Sequence, residues 1–285
     1  MQGATMSTSR KGLLVALFLV VTATVPLRGD VVLATESVVG LPITGSMDLL
    51  LDEPLGQIYV SSGSENNSVL VLGLDGSLID TITGVAGAAL MDLSPDGDVL
   101  WVAAPDSDEV LGYSTTTFTQ VHRISMDPGH CPLSVVDLGG TLVVTGGCGK
   151  HDHPRIVDVA TETVTASTGA TVSNGMALHH GSWGDGVLLA TMGSSPFIVY
   201  ELDTGAVTPE VVEISRGPGS NLRNIVAHPD GDRVVTASGS PYVHPEYDLP
   251  GFTPSTEYQT TAYPIAAAWS ADGTVFAGGS WAPAD

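Results

Sequence analysis

The hydrophobic pattern along this chain repeats as a hairpin, in which a short apolar strand, a turn rich in Asp, Pro and Gly, and a second apolar strand follow one another. A glycine ends each turn, because tight hairpin turns need a positive φ that glycine adopts without steric cost. This glycine recurs in steps of 41, 43, 46, 45 and 42 residues. No long window shows apolar residues at helical spacing, so we expect an all-β protein. The hairpins are LDEPLGQIYV, LSPDGDVLWV, VVDLGGTLVV, GSWGDGVLLA, AHPDGDRVV and WSADGTVFA, with turn glycines Gly56, Gly97, Gly140, Gly186, Gly231 and Gly273.

A second apolar hairpin follows each of the first four, so each unit is a four-stranded antiparallel meander. Four strands in a period of about 40 to 50 residues are typical of a β-propeller blade, which buries its two faces only when neighbours stack around a ring. In the fifth unit, PYVHPEYDLPGFTPSTEYQ predicts a proline-rich loop that contains His244 in place of a clean second hairpin. The sixth unit stops after its first hairpin. The pattern therefore predicts five full blades and part of a sixth.

Two segments resemble the repeat of the YVTN (YncE-like) β-propeller family of secreted bacterial proteins. They are IYVSSGSENNSVLVLGLDGSLIDTI and, more loosely, LWVAAPDSDEVLGYSTTTFTQVHRI, in which Tyr59-Val60-Ser61-Ser62 and Trp101-Val102-Ala103-Ala104 stand where the family has Tyr-Val-Thr-Asn. The resemblance extends from Ser46 to the C-terminus. It implies a seven-bladed ring closed by pairing the chain ends, here shortened, with ESVVGLPI (36–43) as an outer strand of the last blade. The motif is structural, so the resemblance implies a fold more than a role.

The first 34 residues have the organisation of a secretory signal peptide. Arg10 and Lys11 precede the apolar run GLLVALFLVVTATV, and small residues that suit cleavage follow it. The run is shorter than the roughly 20 residues that span a bilayer. We therefore expect cleavage, a mature propeller domain over residues 35–285, a secreted, extracellular protein and no stable membrane insertion after cleavage.

The chain is strongly acidic, with 31 Asp and Glu residues against 9 Lys and Arg residues and a formal net charge of −22. Such a field repels phosphate backbones, so we expect no nucleic-acid partner. Solubility outside the cell explains the charge. Loose cation binding by the cluster Asp106-Ser107-Asp108-Glu109 is the alternative.

The two cysteines flank the third hairpin. If Gly139 and Gly140 form a two-residue turn, counting outward along the ladder places Cys131 opposite Cys148 in a non-hydrogen-bonded pair, whose side chains are close enough to bridge. The spacing therefore predicts a structural disulfide, as is common in secreted proteins. A redox-active pair would lie closer in sequence, and a zinc site would need more ligands.

Three histidines lie beside the same hairpin. In a propeller, His130 before the first strand of this unit and His151, Asp152 and His153 after the second strand fall at the same end of the molecule. Imidazole and carboxylate groups are suitable metal ligands, so these four residues are a candidate metal site. A solvated polar loop is the alternative interpretation.

Arg223 leads into the first strand of the fifth unit, which borders the central channel of a propeller. A guanidinium at that place is suited to holding an anionic ligand, although an ion pair with a neighbouring carboxylate is the alternative. No nucleophile elbow, Ser-His-Asp order, phosphate-binding loop or dinucleotide fingerprint is present, so we predict no catalytic residue and no cofactor.

These observations favour a secreted β-propeller that acts as a binding or scaffold module for a protein or small-molecule partner. The alternative is an enzyme at the channel mouth, either a lactonase-like hydrolase or a propeller dehydrogenase-type protein, that would use Arg223 and His130.

Overall fold

The structure is a β-propeller of five antiparallel four-stranded blades and an additional two-stranded sheet, which confirms the predicted all-β fold. It is a computed structural model. It describes residues 40–149, 151–173, 175–179, 186–191, 198–203, 209–216, 220–240, 242–249, 251–260, 263–270 and 272–280.

The first two blades follow the predicted meander, with neighbouring strands consecutive in the chain. A one-turn helix, α1 (Gly63–Asn66), and a 3₁₀ turn (Pro105–Ser107) connect their second and third strands. The strands are β1 (Asp48–Asp52), β2 (Gln57–Ser61), β3 (Ser68–Gly73) and β4 (Leu78–Thr83) in blade 1, and β5 (Met91–Leu93), β6 (Val99–Ala104), β7 (Glu109–Ser114) and β8 (Gln120–Ser125) in blade 2.

Blades 3 and 4 have additional short strands. β11 (His151–Asp152) pairs with β15 (Val172–Ser173), and β14 (Thr168–Gly169) runs parallel to the outermost strand of blade 4. The blade strands are β9 (Pro132–Asp137), β10 (Thr141–Gly146), β12 (Arg155–Asp158) and β13 (Thr163–Ala166) in blade 3, and β16 (Gly175–His179), β17 (Gly186–Thr191), β18 (Ile198–Asp203) and β19 (Glu210–Arg216) in blade 4.

The fifth unit forms a complete blade, so the predicted proline-rich loop is wrong. Pro245 lies within the third strand of the blade, but the ladder to the second strand ends at Glu246, so the missing proline N–H breaks no bond there. The strands are β20 (Ser220–Ala227), β21 (Arg233–Ser240), β22 (Val243–Asp248) and β23 (Thr253–Gln259) in blade 5, and β24 (Pro264–Trp269) and β25 (Phe276–Ser280) in the two-stranded sheet.

The first strand of each blade is the innermost. First strands contact one another from blade to blade, β1 with β5, β5 with β9, β9 with β16, β16 with β20, and β20 with β24. We call the end at which the chain enters these strands the upper end of the propeller. The connections between second and third strands lie at the same end, because successive strands are antiparallel.

Burial follows the position of a strand within its blade. The second strands β2, β6 and β10 are buried along almost their whole length. Neighbouring blades cover both faces of β6 and β10, whereas blade 2 covers one face of β2 and the segment with Leu41 and Ile43 packs on the other. The outer strands β4, β8 and β13 are mostly exposed. Layers of apolar side chains fill the spaces between blades: Tyr59 and Leu100 belong to the layer between blades 1 and 2, and Trp101 and Leu142 to the next.

The turn glycines explain the regular period of the sequence. Gly56, Gly97, Gly231 and Gly273 have φ between 64° and 76°, and the Gly139-Gly140 turn has φ of 84° and 96°. The remaining predicted turn glycine, Gly186, does not lie in the turn itself, because it is the first residue of β17 and pairs with Asp203.

The predicted signal peptide, residues 1–34, lies outside the described residues. So does the first half, residues 36–39, of the segment 36–43 that was predicted to close the ring. Of its described residues, Leu41 and Ile43 lie against the blade 1 cluster that contains Ile58 and Leu72, and closure of the ring by this segment stays a prediction. No helix among the described residues is long and apolar enough to cross a membrane.

Candidate functional site

A disulfide bond joins Cys131 and Cys148 at the upper end of blade 3, as the sequence predicts. The predicted register is wrong by one residue, because the ladder shifts between Thr145 and Gly146. Cys131 therefore accepts a hydrogen bond from the Gly147 N–H, 2.7 Å away, and does not lie opposite Cys148. The cysteine Cα atoms are 6.0 Å apart. On a chain-entropy model, closing this loop contributes about 3 kcal/mol to stability.

Asp108 fixes the chain that leads into this stapled hairpin. Its two carboxylate oxygens accept hydrogen bonds from the backbone N–H groups of Gly129 and Cys131, both at 2.7 Å. Its neighbour Glu109 pairs with Arg123 at 3.1 Å. Two members of the predicted cation cluster therefore have structural partners, and the acidic pattern is explained by folding.

The structure brings two of the four predicted metal ligands into contact. Nδ1 of His130 is 3.0 Å from Oδ2 of Asp152, and the His130 side chain is fully buried. Arg155, which the sequence analysis missed, donates to both oxygens of Asp152 at 3.3 and 3.2 Å and to Asp127 at 3.0 Å. It also donates to the backbone carbonyl of His153. The result is a charged network that ties the two ends of the hairpin together.

The electrostatics of Asp152 suit an ion-pair role. Burial raises its pKa, but hydrogen bonds from His130, from the His153 N–H and from Arg155 outweigh that effect and keep the pKa below its usual value. Both oxygens of Asp152 therefore already accept hydrogen bonds from neighbouring side chains.

The other two predicted ligands are placed differently. His151 is exposed and pairs through its backbone with Ser173. Nδ1 of His153 and Nε2 of His130 are buried without a hydrogen-bond partner. Within the described part of the chain, only His228, Asp230 and Asp232 bring three potential ligand atoms within 4.8 Å of one another. A metal site at His130, His151, Asp152 and His153 therefore stays a prediction.

The His228 group lies at the lower end, in the turn between β20 and β21. Nε2 of His228 is 3.1 Å from the carbonyl of Gly273 and 3.0 Å from a nitrogen of Arg233. Its Nδ1 is 3.2 Å from the backbone nitrogen of Asp230. These contacts give the imidazole a structural role in joining blade 5 to the turn between β24 and β25.

Arg223 occupies a bulge near the start of the first strand of blade 5. Leu222 pairs with Ser238 and Asn224 with Ala237, so Arg223 is the additional residue. Its side chain is exposed, and it makes no ion pair or hydrogen bond with any residue that the structure describes. The alternative interpretation, an ion pair with a neighbouring acid, receives no support.

Exposed aromatic rings lie at the same end of the molecule. Tyr242, between β21 and β22, and Tyr263, just before β24, meet edge to face with ring centroids 5.2 Å apart. Their relative exposures are 48% and 51%, although large aromatic side chains are usually covered. A hydrogen bond with Tyr263 raises the pKa of Tyr242. The two tyrosines are 21 residues apart in the chain, so their spacing alone does not indicate that the rings meet.

Carboxylates on the first strands join neighbouring blades near the axis. Asp48 accepts a hydrogen bond from the Met91 N–H at 2.9 Å, and Asp92 accepts one from the Asp137 N–H at 2.8 Å. Burial raises the pKa of Asp92 to about 7, and the negative charges of Asp137 and Asp48 add to this effect. Hydrogen bonds from the backbone of Asp137 and Leu93 oppose it.

Comparison with known proteins supports the fold. No protein-family model matches this chain, and no curated protein sequence does. Among solved structures, a chain of "Kuenenia stuttgartiensis Hydrazine Synthase" is similar, with a TM-score of 0.60 and 15% sequence identity over 87% of this chain and 76% of that one. A similarity at this identity shows the fold alone. The chain is therefore a β-propeller with five four-stranded blades, and membership of the YVTN family stays a prediction.

Proposed function

We propose that this protein is a secreted, non-enzymatic β-propeller that binds a protein or small-molecule partner at its upper end. The observation that carries the proposal is the exposed Tyr242–Tyr263 pair at that end. Tyrosine supplies a large, stiff contact surface together with a hydroxyl, and loses little conformational entropy on binding.

A rigid frame at the upper end supports this proposal. The Cys131–Cys148 disulfide, the Asp108 hydrogen bonds and the Arg155 network hold the connections of blade 3. Preorganised surfaces bind more tightly because less motion is lost on association. The disulfide is compatible with an extracellular location, where such bonds persist. Membership of the YVTN (YncE-like) family is part of the proposal, supported by the strands that contain Tyr59 and Trp101.

The enzyme hypothesis has one contact in its favour, the orientation of His130 by Asp152. A carboxylate that holds Nδ1 of a histidine leaves Nε2 as a base, as in catalytic dyads. The His130 side chain, however, has no exposed surface through which Nε2 would reach a substrate. The contact therefore fits the structural network better than a catalytic site.

The proposal is tested by comparing three forms of the mature chain as immobilised bait for the extracellular fraction of its host. The double variant Tyr242→Ser/Tyr263→Ser removes the aromatic pair. Leu55→Ser is the matched control, because Leu55 is 42% exposed in the turn between β1 and β2 at the lower end. We expect a partner that wild type and the control retain equally and that the double variant loses at least about tenfold. Equal retention by all three forms would contradict the proposal.

A further inference from the structure

Arg223 is the one described arginine side chain that has no partner. Arg123 pairs with Glu109 at 3.1 Å, Arg155 with Asp127 at 3.0 Å, and Arg233 lies 3.6 Å from Asp232. In a chain with more than three acidic residues for each basic one, an exposed guanidinium without a carboxylate is unexpected. The guanidinium of Arg223 is therefore not neutralised by any residue that the structure describes.

The bulge that presents Arg223 recurs in other blades, where the additional residue is apolar. Leu133 is bulged in blade 3, between Pro132 paired with Gly146 and Ser134 paired with Thr145. Ile265 is bulged in the two-stranded sheet in the same way. In blade 2, the Ala89 N–H donates to the carbonyl of Ala103, and the Ala103 N–H donates to the carbonyl of Leu90. Because Met91 already pairs with Val102, both Ala89 and Leu90 lie opposite Ala103, and Leu90 is the additional residue. Leu90, Leu133, Arg223 and Ile265 thus occupy equivalent places on innermost strands, and we call them the bulge residues.

Apolar side chains lie on innermost strands near the one that carries Arg223. Leu90 packs against the cluster that contains Leu222, the residue before Arg223, so the inner edges of blades 2 and 5 approach one another. Ile265, on the strand next to β20, is 43% exposed. The bulge residues therefore combine one planar cation with hydrocarbon side chains.

The charge of the whole chain limits the kind of anion that fits. The net charge of −22 disfavours a ligand with several negative charges. A guanidinium binds a planar carboxylate through two parallel hydrogen bonds, and the apolar side chains suit a hydrocarbon body.

We infer that Arg223 binds the carboxylate of a small monocarboxylate with an apolar body, at the inner edge of the blades. This inference rests on the proposed function, since it names the ligand class for the upper end. Arg223 holds the charged group, and Leu90, Leu133 and Ile265 contact the hydrocarbon part.

Hexanoate is the test probe, with hexan-1-ol as the neutral match, and binding is measured by calorimetry or saturation-transfer NMR on the purified mature chain. Wild type binds hexanoate saturably and in preference to hexan-1-ol at concentrations up to about 10 mM. Arg223→Leu weakens hexanoate binding by at least about tenfold, whereas Arg223→Lys retains part of it. Arg123→Leu is the control, because it removes the same charge from the outer strand β8.

Folding of each variant is checked by its thermal unfolding, and Arg223→Leu places at this bulge the residue type found at the Leu133 bulge. Absence of hexanoate binding, equal binding of hexan-1-ol, equal loss in Arg123→Leu, or preference for inorganic phosphate would each overturn the inference. If hexanoate fails but the Tyr242→Ser/Tyr263→Ser variant still loses its partner, the inference falls and the proposed function stands. If hexanoate binds through Arg223 but capture does not depend on the tyrosines, the proposed function falls in its stated form.

Discussion

Aspartate side chains in this protein serve largely as acceptors for backbone N–H groups. Asp48, Asp92 and Asp108 each accept from a residue of the following blade, and Asp137 accepts the Trp101 indole N–H at 2.7 Å together with the N–H groups of its own turn. A buried backbone donor left without an acceptor costs about 1 to 3 kcal/mol. The high acidic content that composition explains only as solubility therefore has a second origin in folding.

Asp92→Asn tests the raised pKa of Asp92. Because the folded pKa of about 7 lies above the unfolded value, the native state binds the extra proton between about pH 4 and 7, and this carboxyl's contribution to stability is lost as pH rises through 7. Asparagine keeps an oxygen for the Asp137 N–H and cannot ionise. Relative to wild type, the free energy of unfolding of the variant should rise by about 3 kcal/mol between pH 4.5 and pH 8, as measured by urea titration.

Asp272→Asn is the control with the opposite sign. Hydrogen bonds from Ser270 and Thr274 lower the pKa of Asp272 to about 2, so its contribution is present above pH 4 and is lost as pH falls toward 2. The variant should be less stable than wild type at neutral pH. An Asp92→Asn stability difference that stays flat or shrinks as pH rises would show that Asp92 is ionised at little cost in the folded protein.

Elements formed by local turn chemistry are those that the sequence predicts well. The hairpins, their glycines and the disulfide partners follow from the residues of one blade, because turn type and alternation set a hairpin register locally. The one-residue shift beside Gly146 escapes this counting, since a bulge changes no residue type. In blade 5 a local signal is misleading, because Pro245 is typical of a loop. It nevertheless lies in a strand, since the ladder between β21 and β22 ends at Glu246 and needs no N–H from residue 245.

His244 tests the buried surface between β22 and the two-stranded sheet. Its side chain is 1% exposed and lies against Phe276, with ring centroids 5.4 Å apart, while the nearby carboxylate of Glu246 is held by Tyr258 at 2.7 Å. Burial lowers the pKa of His244, partly opposed by the Thr236 backbone. The unfolded chain therefore takes up a proton first as pH falls below about 6.5, and stability decreases toward the folded pKa.

Wild type should lose unfolding free energy through this group as the pH falls from 7 to 5, and His244→Leu should lack that part of the slope. The measurement is denaturant unfolding at a series of pH values. His151→Asn is the control, because His151 is exposed. Identical pH slopes for wild type and His244→Leu would show that His244 is not a buried neutral group.

At the scale of the whole molecule, the number of blades is readable from the period of 41 to 46 residues, but the contacts between blades are not. The short strand β14 joins blade 4 by parallel pairing with β19, where a side chain at Gly169 would collide with the Val211 carbonyl. The Arg155–Asp127 hydrogen bond and the Tyr242–Tyr263 contact likewise join residues from different connections at the upper end. These residues are close only because the blades place their connections side by side. The spacing of residues along the chain does not predict these tertiary contacts.

The two-stranded sheet gives the molecule an end that differs from its blades. Among the described residues, β25 pairs only with β24, whereas its counterpart β21 pairs with strands on both sides. Half of the β25 amides therefore lack a ladder partner. Hydrogen exchange followed by mass spectrometry should show β25 peptides exchanging at least about tenfold faster than β21 peptides at pH 7. Equal protection of the two strands would mean that another segment covers β25.

The described bonds in which an aspartate accepts a backbone N–H from another blade all run forward along the chain. Asp48 accepts from Met91 and Asp92 accepts from Asp137, so each acceptor precedes its donor by about one blade. During synthesis from the N-terminus, the acceptors of blades 1 and 2 are therefore made before the backbone donors that they bind in blades 2 and 3.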